Sequence, residues 1–142
     1  MCYAYPFDMT AQPEGGFTVT FPDVPEAISE GDSEGEAETR AEEALVTALS
    51  FYTDAGEPLP RPSPARGRKL VLVPPLVAAK LALHDAMVSA GVSNADLART
   101  LGVDEKAVRR LRDPLHRSHI GQIETALRSL GKRLEIRVLE QA

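Results

Sequence analysis

Residues 94–111 read NADLARTLGVDEKAVRRL, and this stretch predicts two short helices joined by a tight turn. Where two helices cross steeply, the first needs a small residue at the crossing, and the turn favours glycine because glycine lacks a Cβ. Ala98 and Gly102 stand at those two positions, and Ser93 and Asp104 are placed to cap the two helices. Five apolar residues are spaced to pack between the helices: Leu97, Leu101, Val103, Val108 and Leu111. The stretch therefore predicts a helix-turn-helix.

The second of these helices carries cationic side chains that the same pattern places on its surface, Lys106, Arg109, Arg110 and Arg112. Arginine can bind guanine through two hydrogen bonds in the major groove, and Arg99 and Arg117 are candidates for phosphate contacts. The residues predicted to contact DNA are Asn94, Lys106, Arg109, Arg110, Arg112 and Arg117. An ordinary helical hairpin with a solvated basic face is the alternative, but it does not explain why the small, glycine and apolar positions are all in register.

The predicted helix-turn-helix is flanked by further helices. Pro74-Pro75 opens a helix that ends at Gly91, and another begins after Ser118. Beyond it, Leu134, Ile136 and Val138 alternate with charged residues, which predicts a C-terminal strand. Pairing with the same strand of a second subunit would satisfy this strand and give a two-fold dimer suited to a palindromic operator. Packing beside its own helices is the alternative.

The first half of the chain predicts a small sheet with one helix. Strands are expected over residues 3–10, 16–21 and 26–31, followed by a helix from Ser33 to Gly56. Residues 57–67 hold four prolines and predict an extended, exposed connection, after which residues 69–73 predict a fourth strand. The predicted fold is therefore α+β. A β-β-β-α-β domain spans residues 1–73, and an all-α helix-turn-helix domain with a C-terminal strand spans residues 74–142.

Charge is distributed unequally between the two halves. Residues 1–69 hold 5 Lys/Arg and 13 Asp/Glu, whereas residues 70–142 hold 11 and 8, within a net charge of −5. An acidic half attracts a basic protein, and a basic half can approach nucleic acid. No apolar run approaches the ~20 residues of a membrane span, and no secretion signal is recognisable. The single cysteine, Cys2, fits a reducing compartment, so we expect a cytoplasmic protein.

Several segments together resemble the HicB antitoxin family. In the first half they are Tyr5-Pro6-Phe7, residues 16–27 with their F-P-D-V-P turn, and Gly31-Asp32-Ser33 running into the helix at Ala41-Glu42-Glu43-Ala44-Leu45. In the second half, residues 113–117 and 126–134 resemble the longer form of HicB that ends in a helix-turn-helix. The resemblance covers both halves in the order that the family shows.

This resemblance implies a specific fold and partner. The N-terminal domain would be a reduced ribonuclease-H-like fold that binds HicA, a small basic toxin that cuts messenger RNA. The C-terminal domain would repress the pair's own promoter. An acidic first half suits a basic toxin, and the exposed acids Asp23, Glu26 and Glu30 are the predicted toxin contacts.

Enzymatic, metal-binding and ligand-binding alternatives were weighed. Ribonuclease H chemistry needs clustered carboxylates around two magnesium ions. An acidic surface explains the candidates at least as well, and these are Asp8, Asp23, Glu26, Glu42 and Glu43. His116 and His119 make a weak two-ligand metal site, and His84 is expected in the core. We therefore predict no catalytic residue, metal or cofactor. The alternatives are a one-component regulator with a ligand-binding N-terminal domain, and an RNA-processing enzyme with an appended helix-turn-helix.

Overall fold

The structure, a computed structural model, describes residues 2–140. Residues 2–73, which we call the sheet half, form an antiparallel sheet and one long helix. The strands are β1 (Ala4–Ala11), β2 (Phe17–Thr20), β3 (Ile28–Gly31) and β4 (Lys69–Leu72), and α1 (Glu34–Ala55) connects β3 to β4. Their order across the sheet is β3-β2-β1-β4. The predicted β-β-β-α-β order and the α+β class are confirmed.

Alternation along the strands gives the sheet one buried face. Tyr5 and Phe7 on β1 and Val19 on β2 are buried beside α1, which contributes Leu45 and Leu49. α1 is amphipathic because its small and aliphatic residues recur every three or four positions. Ser33 begins α1 by accepting a hydrogen bond from the Glu36 amide at 3.1 Å, as its spacing predicts.

β3 and the first turn of α1 lie unusually close together at Gly31. A Cβ on Gly31 would come within 2.5 Å of the Ala37 nitrogen and 2.9 Å of the Glu36 carbonyl carbon. Ser29 Oγ donates to the Ala37 carbonyl oxygen at 3.0 Å and ties the same two elements together. Glycine at position 31 is therefore required by a backbone contact.

The proline-rich segment after α1 is held against the sheet half. Tyr5 Oη donates to the Pro60 carbonyl oxygen at 2.9 Å, and Leu59 is buried. Asp23 Oδ2 accepts hydrogen bonds from the amide and the hydroxyl of Ser63, both at 2.9 Å. The segment lacks helix and strand and is mostly exposed, as expected, but it is anchored at several points.

Residues 74–140, which we call the helical half, contain four helices. They are α2 (Pro75–Ala90), α3 (Asn94–Leu101), α4 (Glu105–Arg112) and α5 (Ile120–Ser129). A second core lies between them, and its buried residues are Ala79, Leu83, Ala86, Met87, Leu97, Ala98, Val108, Leu111, Ile123, Ala126 and Leu127. All four helices occur where the sequence predicts them.

α2 takes part in both cores. Val77 and Leu81 pack with the sheet half, whereas Leu83 and Met87 pack in the second core. The apolar residues of α2 are therefore spread around the helix rather than confined to one stripe, as expected for a helix with packed neighbours on opposite sides. Within residues 2–140 no single helix is both long and apolar enough to cross a membrane, and α2 reaches that size only together with α3, at a bend of 108°.

The predicted C-terminal strand is not formed. Residues 132–140 lack regular secondary structure in the described part of the chain. Leu134 packs against the second core, but Ile136 and Val138 are 67% and 92% exposed. A strand needs a hydrogen-bonded neighbour, and among the described residues this segment pairs with none of the four strands of the sheet.

Candidate nucleic-acid interface and acidic groove

The two helices of the sequence motif begin and end as predicted. Ser93 and Asp96 form a reciprocal capping box at the start of α3, with distances of 3.0 and 3.1 Å. Gly102 ends α3 in the left-handed conformation, with φ 69°. Asp104 Oδ1 then accepts a hydrogen bond from the Ala107 amide at 2.8 Å and begins α4.

The contact between α3 and α4 follows the predicted positions with one exception. Leu97, Ala98, Val108 and Leu111 are buried, and Leu101 packs against them. Val103 is 44% exposed, so its predicted place in the core is wrong. It lies in the turn directly after Gly102, where the chain is at the surface.

The basic face of α4 lines an open cleft. Lys106, Arg109 and Arg110 are exposed on α4. They line one side of a cleft of ≈ 520 Å³. The opposite wall belongs to the second half of α1 and includes Ser50, Phe51, Thr53 and Asp54. Arg109 pairs with Glu105 one turn earlier at 3.5 Å and keeps 63% of its side chain exposed.

Arg112 lines the same cleft, as does Asn94, but Arg112 is not exposed on α4, so its predicted exposure is wrong. Its residue is only 9% exposed, and its guanidinium donates to Asn94 Oδ1 and to His84 Nδ1, both at 2.7 Å. The reason is helical spacing, since position 112 is four residues after the buried Val108. Asn94 uses its side-chain oxygen in the same contact, so the structure assigns neither side chain to the exposed basic surface.

The remaining cations that were predicted to contact DNA lie outside the cleft. Arg117 is exposed in the loop between α4 and α5. Arg99 is exposed on α3, where it pairs with Asp96. Both are on the helical half, and neither lines the cleft.

Two buried polar residues of α2 contact the end of α4. The Lys80 ammonium donates to the Arg110 carbonyl oxygen at 2.6 Å, to the Leu111 carbonyl oxygen at 3.4 Å and to Ser118 Oγ at 2.7 Å. Lys80 is fully buried, and burial lowers its pKa to about 8. Sequence analysis missed Lys80, although a lysine inside the apolar run of α2 is the signal that could have identified it.

His84 lies one turn after Lys80 and is buried, as expected. Because Arg112 donates to Nδ1, the imidazole must be the neutral form with its hydrogen on Nε2, which donates to the Glu57 carbonyl oxygen at 2.6 Å. Burial, and to a lesser extent the Arg112 guanidinium, lower the pKa of His84. His84 therefore joins the sheet half to α4 through two hydrogen bonds.

A second, acidic groove lies between β3 and α1. Glu26, Glu30 and Glu43 line it, and its volume is ≈ 700 Å³. Two large apolar side chains in the same groove, Ile28 and Phe51, are 58% and 61% exposed. Arg40 lines the groove as well, so three carboxylates and one guanidinium surround these apolar side chains. Exposed apolar side chains beside an excess of acidic groups are typical of a surface that binds a basic protein.

The three predicted toxin contacts are not all in this groove. Glu26 and Glu30 lie in it, and Glu26 Oε1 accepts a hydrogen bond from Tyr52 Oη at 2.6 Å. Asp23 does not line the groove and instead anchors Ser63. Sequence analysis missed Ile28 and Phe51 because an exposed apolar residue looks like a core residue in a strand or helix pattern.

The carboxylates that were considered for catalysis have structural partners or are dispersed. Asp8 pairs with Arg68 at 2.8 Å, and Asp23 is bonded to Ser63. Among residues 2–140 no group of three or more His, Cys, Asp or Glu side chains is arranged to hold a metal ion.

Comparison with known proteins gives consistent matches. The family model described as the HicB-like antitoxin of bacterial toxin–antitoxin systems matches residues 4–82. The chain is 42% identical to Antitoxin HicB 2 of Photorhabdus laumondii over 123 residues, which cover 87% of this chain and 88% of the relative. It is 36% identical to Antitoxin HicB of Escherichia coli K12 over 133 residues, covering 93% and 96%. It is also 36% identical to Antitoxin HicB of Pseudomonas fluorescens over 138 residues, covering 96% and 94%.

Proposed function

The chain belongs to the HicB-like family of antitoxins of bacterial toxin–antitoxin systems, and from that premise we propose that it neutralises a HicA-type, mRNA-cleaving toxin and represses its own operon. The observation that carries the proposal is the separation of charge between two clefts. One is an acidic groove on the sheet half, and the other has a basic wall on α4.

The toxin binds the acidic groove in this proposal. Glu26, Glu30 and Glu43 supply negative charge for a basic partner, which steers association and excludes wrong partners. Ile28 and Phe51 supply the apolar contact that a stable protein interface needs at its centre. Asp23 does not line this groove, and its two hydrogen bonds to Ser63 hold the proline-rich segment to the turn before β3.

Operator DNA binds the helical half, with α3 and α4 acting as a helix-turn-helix. Lys106, Arg109 and Arg110 are the candidates for base and phosphate contacts, since they are exposed on the helix that would enter the major groove. Arg117 and Arg99 are candidates for phosphate contacts beside it. Arg112 and Asn94 support the helices instead.

The protein acts as a homodimer in this proposal. Residues 132–140 lack regular secondary structure in the described part of the chain, and they carry exposed apolar side chains at Ile136 and Val138. Pairing with the same segment of a second copy would satisfy their backbone groups and bury those side chains. Two α4 helices related by a two-fold axis would then match the two halves of a palindromic operator.

The test is to co-express the chain with the adjacent small reading frame. We expect the two proteins to co-purify, and we expect the chain to prevent the growth arrest that the neighbour causes. Glu30→Lys should weaken rescue while leaving promoter binding intact. Glu14→Lys is the matched control, because Glu14 is exposed in the β1–β2 turn and does not line the groove.

Arg110→Ala is the complementary variant. It should weaken promoter binding and flatten its salt dependence, because one fewer cation is available to neutralise phosphate, while rescue is unchanged. Arg128→Ala is its control, since Arg128 is an exposed arginine that pairs with Glu124 on α5. If no complex forms and the neighbouring protein does not arrest growth, toxin neutralisation is refuted. If Arg110→Ala and Arg128→Ala bind the promoter equally well, the role of α4 in DNA binding is refuted.

A further inference from the structure

We propose that Lys80 and His84 of α2 act as a clamp that fixes the last turn of α4 and so sets the direction in which Arg109 and Arg110 are presented to DNA. This inference rests on the proposed binding of operator DNA by α4. It assigns the two α2 residues and Arg112 to positioning, although none of them is expected to touch DNA.

Lys80 holds the backbone of that turn. The last carbonyl groups of a helix have no partner within the helix, and a cation near them is favourable. The Lys80 ammonium satisfies two of them, those of Arg110 and Leu111, while also binding Ser118 Oγ in the following loop. The backbone of Arg110 is thus fixed from inside while its side chain stays exposed.

His84 holds the same turn through a side chain. Its Nδ1 accepts from the Arg112 guanidinium, and its Nε2 donates to the Glu57 carbonyl oxygen at the end of α1. The other terminal nitrogen of Arg112 donates to Asn94 Oδ1 at the start of α3. These contacts run from the sheet half through α2 to both helices of the motif, so they fix α4 relative to the rest of the molecule.

Stability alone does not account for this arrangement. Lys80 and Arg112 are cations removed from water without a partner carboxylate in hydrogen-bond contact, and the buried Arg112 Nε has no hydrogen-bond partner among the described residues. Burying such groups is unfavourable, and well-packed apolar residues of similar size are often at least as stabilising. The polar contacts fix the orientation of the last turn of α4, because each hydrogen bond tolerates only a narrow range of distances and angles.

The clamp predicts a loss of specificity rather than a loss of folding. Contacts to base edges depend on precise placement, whereas attraction to phosphates depends mainly on net charge. Lys80→Met and His84→Leu should therefore lower affinity for the operator about tenfold relative to a scrambled duplex at the same salt concentration. His84→Gln should restore most of that preference, because its amide supplies one donor and one acceptor.

The control is Leu83→Ala, which removes a buried α2 side chain of the second core without touching the polar contacts. It should lower stability yet leave the ratio of operator to scrambled affinity unchanged under conditions in which it remains folded. Hydrogen exchange gives a readout that needs no DNA. The Asp113 amide, which donates to the Arg109 carbonyl oxygen at 3.0 Å, should exchange faster in Lys80→Met and His84→Leu.

The outcomes separate the clamp from the proposed function. If the wild type prefers its operator and the two clamp variants keep that preference, the clamp is refuted while DNA binding stands. If the wild type shows no preference for its operator, the proposed repression is refuted. The exchange rate of the Asp113 amide then decides the structural claim, since an unchanged rate in both variants overturns it and a faster rate supports it.

Discussion

His84 is a residue whose protonation state follows from its neighbours. Its ring nitrogens are committed to Arg112 and to the Glu57 carbonyl oxygen, so a second proton would bring two cations into contact. Burial lowers the pKa of His84 and Arg112 adds to the effect, whereas the hydrogen bond to the Glu57 carbonyl oxygen and, less strongly, Asp85 oppose it. In the unfolded chain the imidazole titrates near its usual value of 6.5.

Stability should therefore fall as the pH is lowered through that value. Between the usual pKa and the lower folded pKa of His84, the unfolded state binds more protons, so the free energy of unfolding decreases by up to about 1.4 kcal/mol per pH unit. The contribution is complete above the usual pKa and lost progressively below it. Urea unfolding at pH 7.5 and 5.5 measures this change, and His84→Gln should reduce it. Equal changes in the wild type and in His84→Gln would contradict the assignment to His84.

Gly31 gives a residue-scale prediction for the sheet half. Gly31→Ala should lower the free energy of unfolding by about 1–3 kcal/mol, because the new methyl group meets the backbone of Ala37 and Glu36. Gly35→Ala, also near the start of α1, has open space around the new methyl group and should be neutral or stabilising by up to about 1 kcal/mol. Urea unfolding of the two variants provides the measurement, and equal effects would show that the close contact is not restrictive.

Residues that fix backbone geometry could be predicted from the sequence, and residues whose role depends on a partner could not. Ser93, Gly102 and Asp104 act where their chemistry indicated, because caps and left-handed turns are local. Arg112 was misplaced because its charge was given more weight than its spacing from Val108. Lys80 and the exposed Phe51 needed the tertiary structure, since their roles depend on what packs, or does not pack, against them.

At the scale of elements, the C-terminal segment shows that a sequence pattern typical of a strand does not suffice to form one. Its alternating pattern predicts a strand, but residues 132–140 pair with no strand within the part of the chain that the structure describes. α1 and α4 differ in this respect because a helix satisfies most of its backbone hydrogen bonds internally. Helix positions could therefore be predicted from local sequence, whereas a strand forms only where a second strand is available for hydrogen bonding.

Removing the exposed end of this segment should change the oligomeric state and little else. We expect the full chain to be a dimer by light scattering, and a chain ending at Glu135, which keeps Leu134 against the second core, to be a monomer with the same helix content. Ile136→Asp with Val138→Asp should have the same effect, because both side chains are exposed here and would be buried in a paired strand. Glu135→Gln with Arg137→Gln, on the alternate positions, is the control. A dimer that survives truncation would place the contact elsewhere.

At the scale of the whole molecule, α2 connects the stability of the two halves. Leu81 packs in the core of the sheet half and Leu83 packs in the second core, and both are fully buried. Tyr3 Oη donates to Asp85, and His84 bonds to Glu57, which adds polar contacts between α2 and the sheet half. We therefore expect the halves to unfold together.

Leu81→Ala and Leu83→Ala test this cooperativity. Each should lower the free energy of unfolding by about 2–5 kcal/mol, since each leaves a cavity in a packed core. Hydrogen exchange should show that either substitution reduces the protection of slowly exchanging amides in both β1 and α5. Loss of protection confined to one half in each variant would show that the halves unfold independently.

The double role of α2 also constrains how members of the family could recombine. A crossover between β4 and α2 would set the Val77 and Leu81 face of one parent against the sheet of another. A crossover at Gly91 would keep that face but separate Lys80 and His84 from the α4 that they hold. Either crossover would disrupt contacts of α2. A gene fragment that carries a new operator preference must therefore also bring an α2 that fits the sheet half. If the proposed binding of toxin and of operator DNA holds, the two specificities are expected to be inherited together rather than exchanged separately.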